Sequence, residues 1–439
     1  MSVEKFTLDD LCTIEKGATG ILKAIPGEYP LVVTGEDRKS HNEFQFDDDA
    51  VIIPLVSGTG HGHASIKRIH FQTGKFALGS ILCAVIPKDK SKLNAEYLYY
   101  FLELNRENEL VARMRGMANV TLPMKEIAKI EIPLPNLYDQ IEFVKMYKLL
   151  GEKSNDLSLE FDYQLNLVKK LRQQLLQDAV QGKLVEQNPD DEPASVLLQK
   201  IKAEKEQLIK DKKLKKEKEL SQIKPEEIPF DIPENWIWCR LGEVSREITY
   251  GTSEKASDIG DVPVLRMGNI TFDGRIIYSN LKYVSGTNND LPKLYLQDGD
   301  MLFNRTNSYE LVGKTGVFKN FEQFTLASYL IRVRFMNEIS SNYISNYMNS
   351  SVCRKTQLEP QIIQQNGQAN FNGTKLSNIL IPLPPFAEQI GIANKLEQLM
   401  QTCDTLETSI KQSQQQNEQL LQQVLREALT KEAEREAAI

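Results

Sequence analysis

Two kinds of hydrophobic pattern alternate along the chain. Short apolar runs bounded by Gly and Asn, such as Val51–Val56, Pro263–Met267, Asp300–Phe303 and Leu330–Arg334, predict strands. Helical stretches such as Ala95–Leu104 fall between them, so these regions are predicted to be mixed α/β. Elsewhere the apolar residues recur at three-four spacing. Leu157, Phe161, Val168, Leu171 and Leu175 form one such stripe, interrupted at Gln164. Leu396, Leu399, Cys403, Leu406, Ile410, Leu420 and Val424 form another, interrupted at Ser413 and Asn417. Stripes of this kind predict two long helices that pack on each other as a coiled coil.

The chain also repeats itself. Ile130-Glu-Ile-Pro-Leu-Pro-Asn-Leu-Tyr-Asp-Gln-Ile141 is echoed by Ile379-Leu-Ile-Pro-Leu-Pro-Pro-Phe-Ala-Glu-Gln-Ile390, an offset of 249 residues. Leu171–Val180 is echoed by Leu420–Leu429 at the same offset. Loops tolerate insertions and a packed helix does not, so an uninterrupted offset implies one continuous helix in each copy. Upstream, Gly116–Asn119 resembles Gly367–Asn370, and Leu8–Leu11 resembles Leu241–Val244. The predicted layout is a globule over residues 1–137, a long helix over 138–184, a linker over 185–235, a second globule over 236–387 and a second long helix over 388–432. Lysines crowd the linker from Lys200 to Lys224, which reads as a helix exposed to solvent.

Composition narrows the class. At 439 residues, with 41% hydrophobic residues and a net charge of −7, the chain reads as an ordinary multidomain globular protein. No basic leader followed by an apolar run opens it, and no apolar stretch approaches a membrane span, so a soluble, cytoplasmic protein is expected. The five cysteines lie far apart, as expected of reduced, buried thiols. His61-Gly62-His63 lacks nearby carboxylates or thiols at ligand spacing, so no metal is expected.

Catalytic signatures fail in detail. Gly313-Lys314-Thr315 resembles the end of a phosphate-binding loop, but Ser308 stands where its first glycine belongs. Asn188-Pro189-Asp190-Asp191 has an acidic residue where an amino-methyltransferase motif carries its aromatic. A non-catalytic chain is expected. Its polar clusters suit the reading of base edges, since Arg can donate twice to guanine and Asn or Gln can pair bidentately with adenine. The DNA-binding candidates in the first globule are His61, His63, Lys67, Arg68, Arg113, Arg115 and Asn119. In the second they are Arg305, Thr306, Asn307, Ser308, Lys314, Gln364, Gln365, Asn366, Gln368 and Asn370. Charge adds little, because residues 1–135 carry −2 and residues 236–385 carry +2. Nonspecific affinity rests on phosphate neutralisation, so such a chain should bind DNA weakly alone.

The duplicated Ile-Pro-Leu-Pro-x-x-x-[Asp/Glu]-Gln-Ile with its long helix, together with Ala179–Val185, Asp191–Ser195, Phe303-Asn-Arg-Thr-Asn-Ser308 and Leu311–Lys314, resembles the specificity subunit of type I restriction-modification enzymes. The first copy departs at Pro135–Gln140, where that family shows Pro-Pro and Glu-Gln. The resemblance implies two target-recognition domains, each reading half of a bipartite asymmetric double-stranded DNA site, separated by paired antiparallel helices. It further implies two methyltransferase (modification) subunits bringing S-adenosylmethionine and adenine methylation, and restriction/translocase subunits bringing ATP and Mg. No cofactor is implied for this chain. An autonomous DNA-binding regulator, or a coiled-coil scaffold with no nucleic-acid role, would be the alternatives.

Overall fold

The computed structural model describes residues 5–58, 62–117, 119–215, 219–288, 290–320, 322–365 and 368–436. It divides into two compact units, Met1–Tyr163 with Ile410–Ile439, and Gln164–Ser409. The long helices are Leu137–Val180 and Phe386–Glu436, so each unit holds one globule and a part of each helix.

In the first unit an antiparallel sheet runs in the order Cys12–Lys16, Leu82–Pro87, Ala50–Pro54, His70–Gln72. Side chains alternate across a strand, and here both faces are covered. Val51, Ile53, Cys83 and Val85 enter the core that includes Leu98 and Leu102 of the helix Ala95–Leu104. Ala50, Ile52 and Ala84 enter a smaller core with Phe46, Phe76 and Leu78. A second sheet sets Tyr29–Val32 parallel to Lys75–Leu78 and antiparallel to Lys39–His41. Lys5–Thr7 pairs antiparallel with Glu131–Pro133, so the Ile-Pro-Leu-Pro segment closes the globule onto its opening strand before the long helix starts.

The second unit repeats this plan. Its sheet order is Ser245–Tyr250, Leu330–Phe335, Met301–Asn304, Thr315–Val317, and Ile237–Arg240 pairs with Leu380–Leu383. The fold is therefore mixed α/β, with two tandem globules of one topology. Contrary to the sequence expectation, the linker helix Ala194–Lys210 is not a solvated rod. Its Ala194, Leu197, Leu198 and Ile201 lie in the main core of the unit. Lys205 Nζ donates to the carbonyls of Gly242 and Ser245 at 2.7 and 2.9 Å. The i, i+3, i+4, i+7 apolar spacing was present in the sequence beneath the lysine count.

The helices pair within each unit. In the first, Asn417 Nδ2 donates to Ser154 Oγ at 3.0 Å and Ala428 packs on the core holding Phe143 and Val144, which makes the two segments antiparallel. In the second, Arg172 meets Asp404 at 2.7 Å and Glu407 at 3.1 Å, and Gln187, past the end of the first helix, reaches Glu388. The seam differs from the expected one along one column, and also at Val424, which is 36% exposed beside the buried Leu425. Phe161, Val168, Leu175, Leu396, Cys403 and Ile410 are covered at least in part, as expected. Leu157, Leu171, Leu406 and Leu420, however, are 47%, 43%, 44% and 60% exposed. The column beside them is partly covered throughout: Ser158, Leu165 and Arg172 on one helix, and Met400, Glu407, Gln414 and Leu421 on the other. A heptad can be completed from either neighbouring column, and here Arg172 and its partner Glu407 occupy the covered one.

Candidate nucleic-acid interface

In both globules the segment leaving the central strand pairs with the segment that leads into Ile-Pro-Leu-Pro. In the first, Leu122 N donates to Leu55 O at 2.9 Å, Ser57 N donates to Val120 O at 2.9 Å, and Val56 bridges Thr121. In the second, Phe371 N donates to Arg305 O at 2.8 Å, and Thr306 and Asn307 pair with Asn370 and Ala369. A further layer sets Arg115 against Thr121 in the first globule and Ile363 against Asn370 in the second. By these bonds Leu55 corresponds to Arg305, Val56 to Thr306, Ser57 to Asn307, Thr121 to Asn370 and Leu122 to Phe371. The sequence marked these as separate polar loops, and the fold joins them in pairs. Strands of two or three residues carry too little alternation to reveal this beforehand.

The first globule brings together the loops bearing His63, Lys67, Arg115 and Asn119. Ser57 Oγ donates to His63 O at 2.6 Å, and Lys67 lies exposed with its aliphatic stem against Gly58. Asn119 is exposed, and its carbonyl would lie 2.3 Å from a Cβ on Gly116, whose φ of +125° suits only glycine. Arg115 reaches Glu126 at 3.3 Å and stays 68% exposed. Two candidates bind carboxylates of their own globule: Arg113 holds Glu109 and Arg68 holds Glu36, each at 2.8 Å. His61 lies outside the described residues.

In the second globule the strand Ile363–Gln365 continues the sheet begun by Thr306–Asn307 and Gln368–Asn370. Gln364, Gln365, Gln368 and Asn370 therefore share one small sheet with Thr306 and Asn307. Asn366 and the side chains of Asn307, Gln364, Gln365 and Gln368 lie outside the described residues. Ser308 serves a turn, its carbonyl accepting from Leu311 N and Val312 N. Lys314 is placed unlike a phosphate contact: it is 9% exposed, its Nζ donates to Ile270 O at 2.6 Å and sits over the Phe272 ring, and burial lowers its pKa. Arg305 is half-buried with its guanidinium 4.9 Å from the centre of the Tyr250 ring. Tyr250 was not singled out in the sequence, because 55 residues separate it from Arg305.

All five cysteines are buried, and burial pushes the thiols of Cys12 and Cys83 up to about 12. His70 is held down to about 4 by burial and by Arg38 and Arg68. Among the described residues no cluster of His, Cys, Asp and Glu could hold a metal ion, and no helix is long and apolar enough to cross a membrane.

Residues 2–159 and 233–415 match the type I restriction modification DNA specificity domain. The chain belongs to that family. It is 32% identical over 254 residues to the type I restriction enzyme EcoEI specificity subunit of Escherichia coli, a match covering 56% of this chain and 43% of that relative. It is 31% identical to the EcoAI specificity subunit of the same species over 56% of this chain and 42% of the relative, so the chain spans less than half the length of these two proteins. A solved structure described as the basis of complex assembly and conformational transition of the type I R-M system shares the fold, at a TM-score of 0.64 and 16% identity over 97% of both chains.

Proposed function

We propose that this chain is the non-catalytic DNA sequence-recognition subunit of a type I restriction-modification complex, each globule reading one half of a bipartite site. The observation that carries this is the paired segment at equivalent places in both globules. One backbone register presents Leu55, Val56 and Ser57 against Thr121 in the first, and Arg305, Thr306 and Asn307 against Asn370 in the second. A constant frame with different side chains is what reading two different half-sites requires. The net charge of −7 gives the isolated chain little hold on phosphates, so affinity would come with partners.

Those partners would be two methyltransferase subunits, with S-adenosylmethionine, and restriction/translocase subunits, with ATP and Mg. Leu157 and Leu406 stand at the repeat offset, as do Leu171 and Leu420, and all four are exposed. Each unit thus offers an equivalent pair of uncovered leucines, which suits two copies of one partner. Methylome sequencing of a strain expressing the chain with its methyltransferase partner should yield a two-part motif that is lost when this chain is deleted. Methylation unchanged by the deletion would refute the function.

A further inference from the structure

We propose that Tyr250 is a positioning residue that sets the base choice of the second globule by fixing the plane of Arg305; this rests on the DNA-reading function above. Tyr250 ends the strand Ser245–Tyr250, and three separate segments meet at its side chain. Its ring lies under the Arg305 guanidinium at 4.9 Å, and its hydroxyl accepts from Gly373 N at 2.7 Å. That second bond anchors the ring to the segment just after Phe371, whose N–H donates to Arg305 O.

The other restraints on the guanidinium are weak. Nε reaches Phe371 O and Nη1 reaches Ser328 O, both at 3.4 Å, the long limit for such bonds. Nη2 has no protein partner among the described residues. The guanidinium therefore keeps a donor edge for an outside acceptor, while the ring fixes the plane in which that edge lies. Guanine offers N7 and O6 as two acceptors in one plane, and a bidentate arginine reads them only if its own plane is held.

The duplication separates this pair from the scaffold. In the first globule Gly17 N donates to Leu82 O at 2.9 Å, as Gly251 N donates to Leu330 O at 3.2 Å in the second, so Lys16 stands where Tyr250 stands. Leu55 stands where Arg305 stands. The fold is thus built once with Lys16 and Leu55 and once with Tyr250 and Arg305, and the stack is not a requirement of the topology.

The test uses the chain assembled with its methyltransferase partner, methylating a DNA library randomised over the second half-site. Arg305→Ala should erase preference at one base position. Tyr250→Leu and Tyr250→Gln, which remove the ring, should weaken preference at that same position by about fivefold to a hundredfold, the range of one bidentate base contact. Tyr250→Phe keeps the ring but loses its bond to Gly373 N and should keep most of the preference, and the other half-site should be untouched throughout. Ring-removing variants that lower methylation evenly at every position, or an Arg305→Ala motif identical to the wild type, would overturn the proposal while leaving the DNA-reading function standing. A wild-type complex with no sequence preference would remove both, and is told apart by needing no variant.

Discussion

Gln140 Oε1 accepts from Asn94 N at 2.8 Å, tying the first turns of a long helix to the residue that caps the helix Ala95–Leu104. Its Nε2 donates to Lys92 O and Pro135 O at 2.8 and 2.7 Å, and the side chain is fully buried. Gln389, at the repeat offset, does the same work: it accepts from Ser340 N at 2.9 Å and donates to Pro384 O at 3.0 Å, and Ser340 caps Ser341–Met348. The repeated glutamine of the motif is thus a clamp between globule and helix.

Losing such a clamp strands buried backbone groups. Gln389→Leu should destabilise the second unit by about 1–3 kcal/mol. Both tryptophans, Trp236 and Trp238, belong to that unit, so their fluorescence in urea reports on it alone. Gln140→Leu should leave the tryptophan-reported midpoint in place; a shift equal to that of Gln389→Leu would contradict the clamp's local action.

Two carboxylates of the second unit should respond to pH with opposite signs. The guanidinium groups of Arg275 and Arg172 bind Asp404 and hold its pKa below the usual value against a desolvation that raises it. Its contribution is present above the unfolded pKa of about 3.9 and is lost as pH falls through the folded value. The pairs are partly exposed, so Asp404→Asn should cost only about 0.5–1 kcal/mol near neutrality and nothing at pH of about 2. Burial raises the pKa of Glu388, opposed by hydrogen bonds from Trp236 Nε1 at 2.8 Å and from Gln187. That group favours folding below the unfolded carboxyl value of about 4.3, and the advantage fades as pH rises through the folded value. Glu388→Gln should flatten that limb of the stability-pH curve, which tryptophan-monitored urea titrations across pH of about 3 to 8 would show.

Arg332 is fully buried, donating to Lys293 O and Tyr295 O at 3.0 and 3.1 Å and to Glu247 at 2.9 Å. Arg332→Ala should cost about 2–4 kcal/mol, from the cavity and the unpaired carbonyls. Arg332→Met fills more of the space and should cost less by calorimetry. Equal losses would mean that the carbonyls, rather than volume, dominate.

Exchanging residues 236–385 for the matching segment of a relative should change one half of the methylated motif and leave the other unaltered. Changes in both halves would contradict independent reading. Methylome sequencing of the exchanged chain decides it.

The duplication, the mixed α/β globules and the antiparallel helices were legible because identical offsets and gap-free repeats survive in one dimension. The seam column was not. Leu157, Leu171, Leu406 and Leu420 belong to the more apolar stripe, yet they stand out to solvent while the column of Arg172 and Glu407 is partly covered, and only the pairing partner decides between neighbouring columns. The linker helix was misjudged because counting lysines hid four apolar residues on one face. The candidate interface was legible only as scattered polar residues; the pairing of Thr306 with Asn370, across 64 residues, is a property of the closed globule.

The two helix seams no longer match under the repeat offset. Ser154 and Asn417 bond in one unit, and the residues at their equivalent places in the other are Cys403 and Val168, both buried. Arg172 faces Asp404 and Glu407, whose equivalents are Asn155 and Ser158. Each seam is a lock fitted to its own key. A genetic crossover inside either helix would join halves whose polar layers do not answer one another. A crossover at the first Ile-Pro-Leu-Pro border, or a two-ended exchange of residues 236–385, leaves both locks whole, so inheritance can reshuffle the globules while the helices that join them descend unbroken.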